Sequence, residues 1–330
     1  MASGAAIFGP EGRAVTDWEK GFFREYDPLG FILFARNVDS PEQLRRLTGD
    51  LRDAVGRDAP ILIDQEGGRV QRMRAPHWRD WLPPLDEVAR SPDPARAMYL
   101  RYRLIAAELR AVGIDANCAP CADVASRNTH AFLRNRCYGT DPALVARIGR
   151  AVADALLAGG VLPVLKHMPG HGRAWADSHV DLPKVRAGYD RLSAQDFAPF
   201  EELNDLPMGM TAHIVYTALG QDGPATQSPE MIRLIREELG FAGLLMSDDI
   251  GMEALSGSPA TRAAATIAAG CDVVLQCNGN AIDMAQVAAA AGALRPEAAA
   301  RVEAALAARR PPDAIDIPAL EAEFEALQGR

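Results

Sequence analysis

The sequence predicts an α/β fold, a single-domain (β/α)8 TIM barrel, from two recurring observations: short apolar runs, and helix signals in the stretches between them. The eight runs fall at residues 5–8, 31–34, 61–63, 116–119, 161–165, 208–212, 244–246 and 273–275. Near-continuous apolar runs of this length suit parallel strands buried on both faces. The length of 330 residues fits such a barrel as one domain. No composition shift or long linker divides the chain, so residues 1–330 are read as one catalytic unit. An open doubly wound sheet is the alternative, weakened by the lack of a GxGxxG opening a helix after the first run.

The helix signals are specific. Ser40-Pro41-Glu42 offers an N-cap followed by proline at the first helical position, which predicts a helix over 41–56. The stretches 94–112, 141–158 and 228–239 open in the same way. The Ala-rich stretch 281–309 reads as helix packed on the barrel exterior, Pro311-Pro312 ends it, and 318–328 forms a last short helix, so 281–330 is a C-terminal helical segment.

Composition narrows the function classes. Apolar residues at 48% and charged residues at 24% exclude wholesale disorder. Lys and Arg number 35 against 44 Asp and Glu, a net charge of −9, which disfavours nucleic acid and anionic membrane as partners. The N-terminus lacks a charged region followed by a long apolar stretch, and no apolar run approaches the roughly 18–20 residues of a membrane span. Five cysteines, an odd number in a long chain, argue against a disulfide framework and for the cytoplasm. Cys118 and Cys121 form a CxxC, but with no second pair they read as buried thiols rather than metal ligands.

Barrel chemistry sits at the C-terminal ends of strands. Those positions hold Asp64, Gln65, Glu66, Gly67 and Gly68, then Asp123, Lys166 and His167, His213, and Ser247, Asp248 and Asp249. Asp64 and Glu66 share one face if the strand continues that far, with Arg69 and Arg72 following to neutralise them. The competing reading is a structural carboxylate–arginine network. Asp248 and Asp249 point opposite ways on an extended strand, so one faces the axis for chemistry while the other holds a loop; alternatively both cap the next helix. Asp177 lies two residues from His179, and a neighbouring carboxylate orients an imidazole and favours its cation. Arg136 and Lys166 are cations able to hold hydroxyls, a phosphate or a carboxylate. His167, His171 and His179 lie close in sequence, so a metal-dependent barrel hydrolase using them with Asp248 is the alternative function. It lacks the HxH near the first strand that marks metal-binding barrels.

Residues 63–72 (Ile63 through Asp64, Glu66 and Gly68 to Arg72), the run from Lys166 to Gly172, Asp177-Ser178-His179 and Ser247-Asp248-Asp249 resemble, in order and spacing, bacterial glycoside hydrolase family 3 β-N-acetylglucosaminidases. Residues 30–37 and 113–120 look like that family too, so the resemblance runs from about residue 5 to residue 280. Met168 and Arg173-Ala174 depart from its usual pattern. The resemblance implies a one-domain barrel that hydrolyses terminal β-linked N-acetylglucosamine with retention. Asp248 matches the nucleophile, Asp177 and His179 the acid/base pair, and Asp64, Arg72, Arg136, Lys166 and His167 the sugar-binding positions. It implies a saccharide or muropeptide substrate, GlcNAc-1,6-anhydroMurNAc with or without peptide, recycled in the cytoplasm. No cofactor and no metal is implied. Glu66 is the rival acid, as the two-carboxylate pattern of most glycosidases would choose it. Gly170 and Gly172, flanking His171, suggest a mobile loop that brings His179 in after substrate binds.

Overall fold

The computed structural model describes residues 3–174 and 182–329, and eight parallel strands close in it into a barrel. They are β1 (Gly4–Phe8), β2 (Pro28–Leu33), β3 (Ile61–Ile63), β4 (Ala116–Asn117), β5 (Leu162–Met168), β6 (Met208–Thr211), β7 (Leu244–Asp249) and β8 (Val273–Gln276). Each lies beside its sequence neighbours, and the ring closes where Ile7 of β1 stands opposite Leu275 of β8. Every strand falls within a few residues of an apolar run. The barrel is therefore the expected (β/α)8 architecture.

Helices follow the strands and cover the barrel. The helix Pro41–Val55 is capped by Ser40, whose hydroxyl accepts from the Gln43 amide at 3.2 Å. Asp93, Asp141 and Ser228 cap the helices starting at Pro94, Pro142 and Pro229 in the same way. Such caps satisfy amides that have no partner within the helix. One expectation is corrected: 281–309 is two helices, Ala281–Ala291 and Pro296–Ala307. Gly292 adopts a positive φ of 65° and Pro296 starts the second helix, so the break precedes Pro311. The last helix, Ile317–Leu327, docks on Pro94–Ala111 through the two-pronged Arg96–Glu323 pair, with the Phe324 ring against Trp81 of the segment before it.

Two strands outrun their apolar cores, and both extensions carry polar residues to the barrel mouth. β5 continues through Lys166, His167 and Met168 because its backbone stays paired: the Lys166 amide donates to Pro120 O, and the Ala212 amide to Met168 O. β7 continues through Asp248 and Asp249, opposite Leu275 of β8. Among the described residues, no helix is long and apolar enough to cross a membrane.

Candidate active site

β3 stops at Ile63, and residues 65–67 instead pair antiparallel with Val70–Gln71. Asp64 and Glu66 therefore do not share a continuous strand. They converge by another route. The buried Gln65 side chain accepts from the Arg72 and Met73 amides and donates to Met73 O, which fixes the hairpin. Gly67 has a φ of 109°, and a Cβ there would lie 1.9 Å from the Arg101 guanidinium. Only glycine lets Arg101 brace the hairpin from behind.

Lys166 Nζ then reaches both carboxylates, at 2.9 Å from Asp64 and 2.6 Å from Glu66. Arg72 binds Asp64 at 2.9 Å, while Arg136 takes Glu66 with both prongs at 2.9 and 2.8 Å. Arg69 lines the cavity at the barrel mouth and donates to the Phe132 carbonyl at 3.0 Å. Its guanidinium lies 3.7 Å over the Phe132 ring. Arg136 also approaches His167 Nε2 at 3.3 Å, and His167 Nδ1 meets Asp123 Oδ2 at 2.7 Å. The other Asp123 oxygen accepts the His171 amide at 2.6 Å. A chain of contacts thus runs Arg72, Asp64, Lys166, Glu66, Arg136, His167, Asp123.

Three cations face three carboxylates in that chain, so every cation is matched. Burial pushes the Glu66 carboxyl up, but Arg136 and Lys166 outweigh it and hold it down at about 2. Burial likewise opposes ionisation of Asp64, and Lys166 with Arg72 keeps it well below the usual carboxylate range. For Lys166 burial pulls the other way, yet Asp64 and Glu66 hold the ammonium charged. Asp123 is held at about 2 by His167 against its own burial. Glu66, 1% exposed and fixed as a carboxylate, does not line the cleft and has no proton to give near neutral pH. That removes the rival acid.

The network forms one wall of a cavity of about 220 Å³ at the barrel mouth. Asp64, Arg72, Arg136, Lys166 and His167 all line it, and Asp248 and Asp249 stand in the same cavity. Phe34, Phe132 and Met252 supply apolar surface. Matched cations and two further carboxylates make a poor phosphate site. They suit a neutral polyhydroxy ligand, whose hydroxyls donate to carboxylates and accept from cations.

The two aspartates of β7 divide their work. Asp249 accepts the Gly251 and Cys277 amides at 2.9 and 3.1 Å and holds the loop after the strand. Asp248 accepts the Asp249 amide through Oδ1 at 2.8 Å. Lys166 and Arg136 bind the Asp64 and Glu66 carboxylates. The Asp248 charge acts on the imidazoles of both His171 and His213. Burial keeps His171 neutral, pulling it to about 4, and also lowers His213. His213 braces the strand end, Nε2 standing 3.0 Å from Asp249 O and Nδ1 2.8 Å from Thr226.

Asp177 and His179 lie outside the described residues. So does the span 175–181 to which the mobile-loop expectation belongs. The glycines before it have a packing role: a Cβ on Gly172 would stand 1.9 Å from Val124 O, and one on Gly170 2.9 Å from Asp196 O. Of the metal-ligand set His167, His171, His179 and Asp248, His179 lies outside the described residues. Among the described residues, the three donors within 4.8 Å of one another belong to Cys121, Asp123 and His167. Asp123 and His213 stood at strand ends without a role in the sequence; their signal was a polar residue next to an apolar run.

Comparison with known proteins agrees with this geometry. The model of the glycosyl hydrolase family 3 N-terminal domain matches residues 19–309. A β-hexosaminidase from Stenotrophomonas maltophilia (strain K279a) is 37% identical over 291 residues, covering 84% of this chain and 85% of the relative. One from Alkalilimnicola ehrlichii is 37% identical over 286 residues, covering 84% and 82%. NagZ from Neisseria gonorrhoeae superposes with a TM-score of 0.85 at 29% identity, covering 100% of this chain and 97% of that one. That protein has also been solved with N-trifluoroacetyl-D-glucosamine. A family 3 β-N-acetylglucosaminidase from Paenibacillus sp. gives a TM-score of 0.88 at 27% identity, covering 98% and 67%.

Proposed function

The chain belongs to glycosyl hydrolase family 3 and is a glycosidase, and from that premise we propose that it is a retaining exo-β-N-acetylglucosaminidase. The observation that carries the proposal is the charge-matched cleft that Asp248 also lines: a pocket for a neutral sugar with the β7 carboxylate in its wall. The likeness to β-N-acetylglucosaminidases and to a relative solved with an N-acylglucosamine supports the choice of sugar.

In this reading the terminal sugar enters with its hydroxyls on Asp64, Arg72, Lys166, Arg136 and His167. Those groups are already held by one another, so little reorganisation is needed when the sugar's positive charge develops. Asp248 attacks the anomeric carbon, and the bond to the leaving oxygen breaks as His179 donates a proton to it. Water then attacks the glycosyl-enzyme while His179 takes its proton, which frees Asp248 and restores the β configuration. An imidazole of ordinary pKa about 6.5 serves both steps near neutral pH without the upward shift a Glu requires. Asp177 orients the ring and stabilises its cation. Through the family resemblance, the substrate is peptidoglycan-derived GlcNAc-1,6-anhydroMurNAc, with or without its peptide, met during cell-wall recycling. Five buried free thiols support a reducing compartment such as the cytoplasm.

The test is hydrolysis of a chromogenic β-N-acetylglucosaminide by wild type and Asp248→Ala in chelator-treated buffer. Turnover by the wild type that falls by on the order of 10⁴ in the variant supports the proposal. Turnover that requires added metal, or survives in the variant, contradicts it.

A further inference from the structure

A second groove opens beside the catalytic cleft, and its charge is not matched. It is an open depression of about 570 Å³ lined by Arg173, Lys184, Arg186 and Arg191, with Ser126 and Asn128 adding neutral polar groups. Four cations thus meet in a chain whose net charge is −9, and among the described residues no carboxylate lines the groove. Beneath it, the buried Asp196 carboxylate accepts from Arg173 Nε at 2.5 Å, and Arg191 acts on the same carboxylate. Lys184, Arg186 and Arg191 are exposed and have no ion-pair partner among the described residues. One buried carboxylate therefore stands against four cations.

The local fold builds this excess. The strand Lys184–Val185 pairs in parallel with Val215–Tyr216, which buries Val185 and leaves Lys184 and Arg186, two positions apart, exposed on the other face. Arg191 ends the short helix Tyr189–Arg191. Across the groove, residues 126–130 clasp Gly172–Ala174: the Thr129 hydroxyl donates to Gly172 O, and the His130 amide to Ala174 O at 3.1 Å. His171 lines the catalytic cleft and Arg173, two residues on, lines the groove, so the two adjoin at the barrel mouth. In sequence, the segment that carries His179 runs between Arg173 and Lys184. A proton donor to the leaving oxygen has to stand beside the leaving group, which sets the groove on that side of the cleaved bond.

We propose that this groove binds the carboxylates of an anionic leaving group, a peptide-bearing aglycone, an assignment that rests on the exo-glycosidase reading and gives the chain a charge preference beyond the first sugar. Arginine and lysine hold carboxylates through charge-assisted hydrogen bonds, and Ser126 and Asn128 add neutral donors. On a molecule that is negative overall, a local cluster of cations also draws an acidic ligand toward the mouth. The two depressions thus differ in kind: matched charges for the neutral sugar, unmatched cations for the acidic remainder. Arg173 is one of the positions at which the chain departs from the usual family pattern, so the groove is not part of that pattern.

The experiment compares GlcNAc-1,6-anhydroMurNAc carrying an acidic stem peptide with the same substrate after amidation of its carboxyls, at low salt. The wild type should favour the free acid by about 5-fold or more in kcat/KM, through KM. That preference should vanish in about 1 M salt, where the screening length is roughly 3 Å, and in Lys184→Ala/Arg186→Ala, both exposed positions. Equal kcat/KM for the two substrates, or a preference that survives salt or the double variant, overturns the groove and leaves the glycosidase reading standing. The salt arm, on wild type alone, decides if the variant does not fold. Turnover of the neutral chromogenic glucosaminide reports on the glycosidase reading separately. If the chain cleaves none of these, calorimetry with the acidic 1,6-anhydroMurNAc peptide decides: salt-sensitive binding that the double variant loses supports the groove, and any other result overturns it.

Discussion

Glu66 sets the charge balance of the cleft, because its two oxygens hold Arg136 and Lys166 at once. Glu66→Gln keeps the shape but removes the charge that both cations face. Breaking a buried pair from one side costs about 3–5 kcal/mol, so urea unfolding at pH 7 should show a loss of that size. The pH signature has a definite sign. The folded-state value near 2 lies below the ordinary 4.5, so the stability it contributes is present above about pH 4.5 and is lost as pH falls toward 2. Wild type and variant should therefore converge in acid. His179 calls for a kinetic signature instead. His179→Ala should slow substrates with poor leaving groups, such as alkyl glucosaminides, far more than dinitrophenyl ones, since only the former need protonation. Equal slowing of both would contradict its role as acid.

At the scale of an element, the helix Pro94–Ala111 joins the barrel to the C-terminal helix Ile317–Leu327. Glu108 lies at this junction, with Oε1 accepting the Arg79 amide at 3.3 Å and Glu321 adding a like charge. Burial raises its carboxyl to about 7. Here the folded value exceeds the ordinary 4.5, so the native state binds the extra proton and stability falls as pH rises from about 4.5 to 7. Glu108→Gln should gain up to about 3 kcal/mol at pH 8 and nothing near pH 4. Chemical denaturation at the two pH values checks this, and a gain independent of pH would contradict it. The same junction shows what helix patterning conveys. Ser40, Asp93, Asp141 and Ser228 announced their helices because a cap is a local hydrogen bond. The break at Gly292 was hidden inside an alanine-rich stretch whose composition favours helix throughout.

Over the whole molecule, the barrel was legible because each strand must be apolar on both faces, which leaves runs that stand out against helical periodicity. The mouth was legible too, since a polar residue directly after such a run has nowhere to go but the strand end; Lys166, His167 and Asp248 were all found that way. What could not be read was pairing. Glu66 looked like a second catalytic carboxylate until Arg136, 70 positions away in sequence, was seen to hold it with two hydrogen bonds. Cys118 and Cys121 are the buried free thiols the sequence suggested, but that Cys121 packs with Cys137 rather than in the main core was not legible. Both partnerships depend on strand register and on the hairpin after β3, long-range facts that no local pattern carries. The central claim is that this neutral-sugar cleft performs a double displacement through Asp248. Its most direct test is mass spectrometry of the chain after reaction with a 5-fluoro-N-acetyl-β-glucosaminyl fluoride, which slows release of the intermediate. The account predicts one sugar per chain, on the peptide that contains Asp248. An adduct on another residue, or turnover with inversion and no adduct, would contradict it.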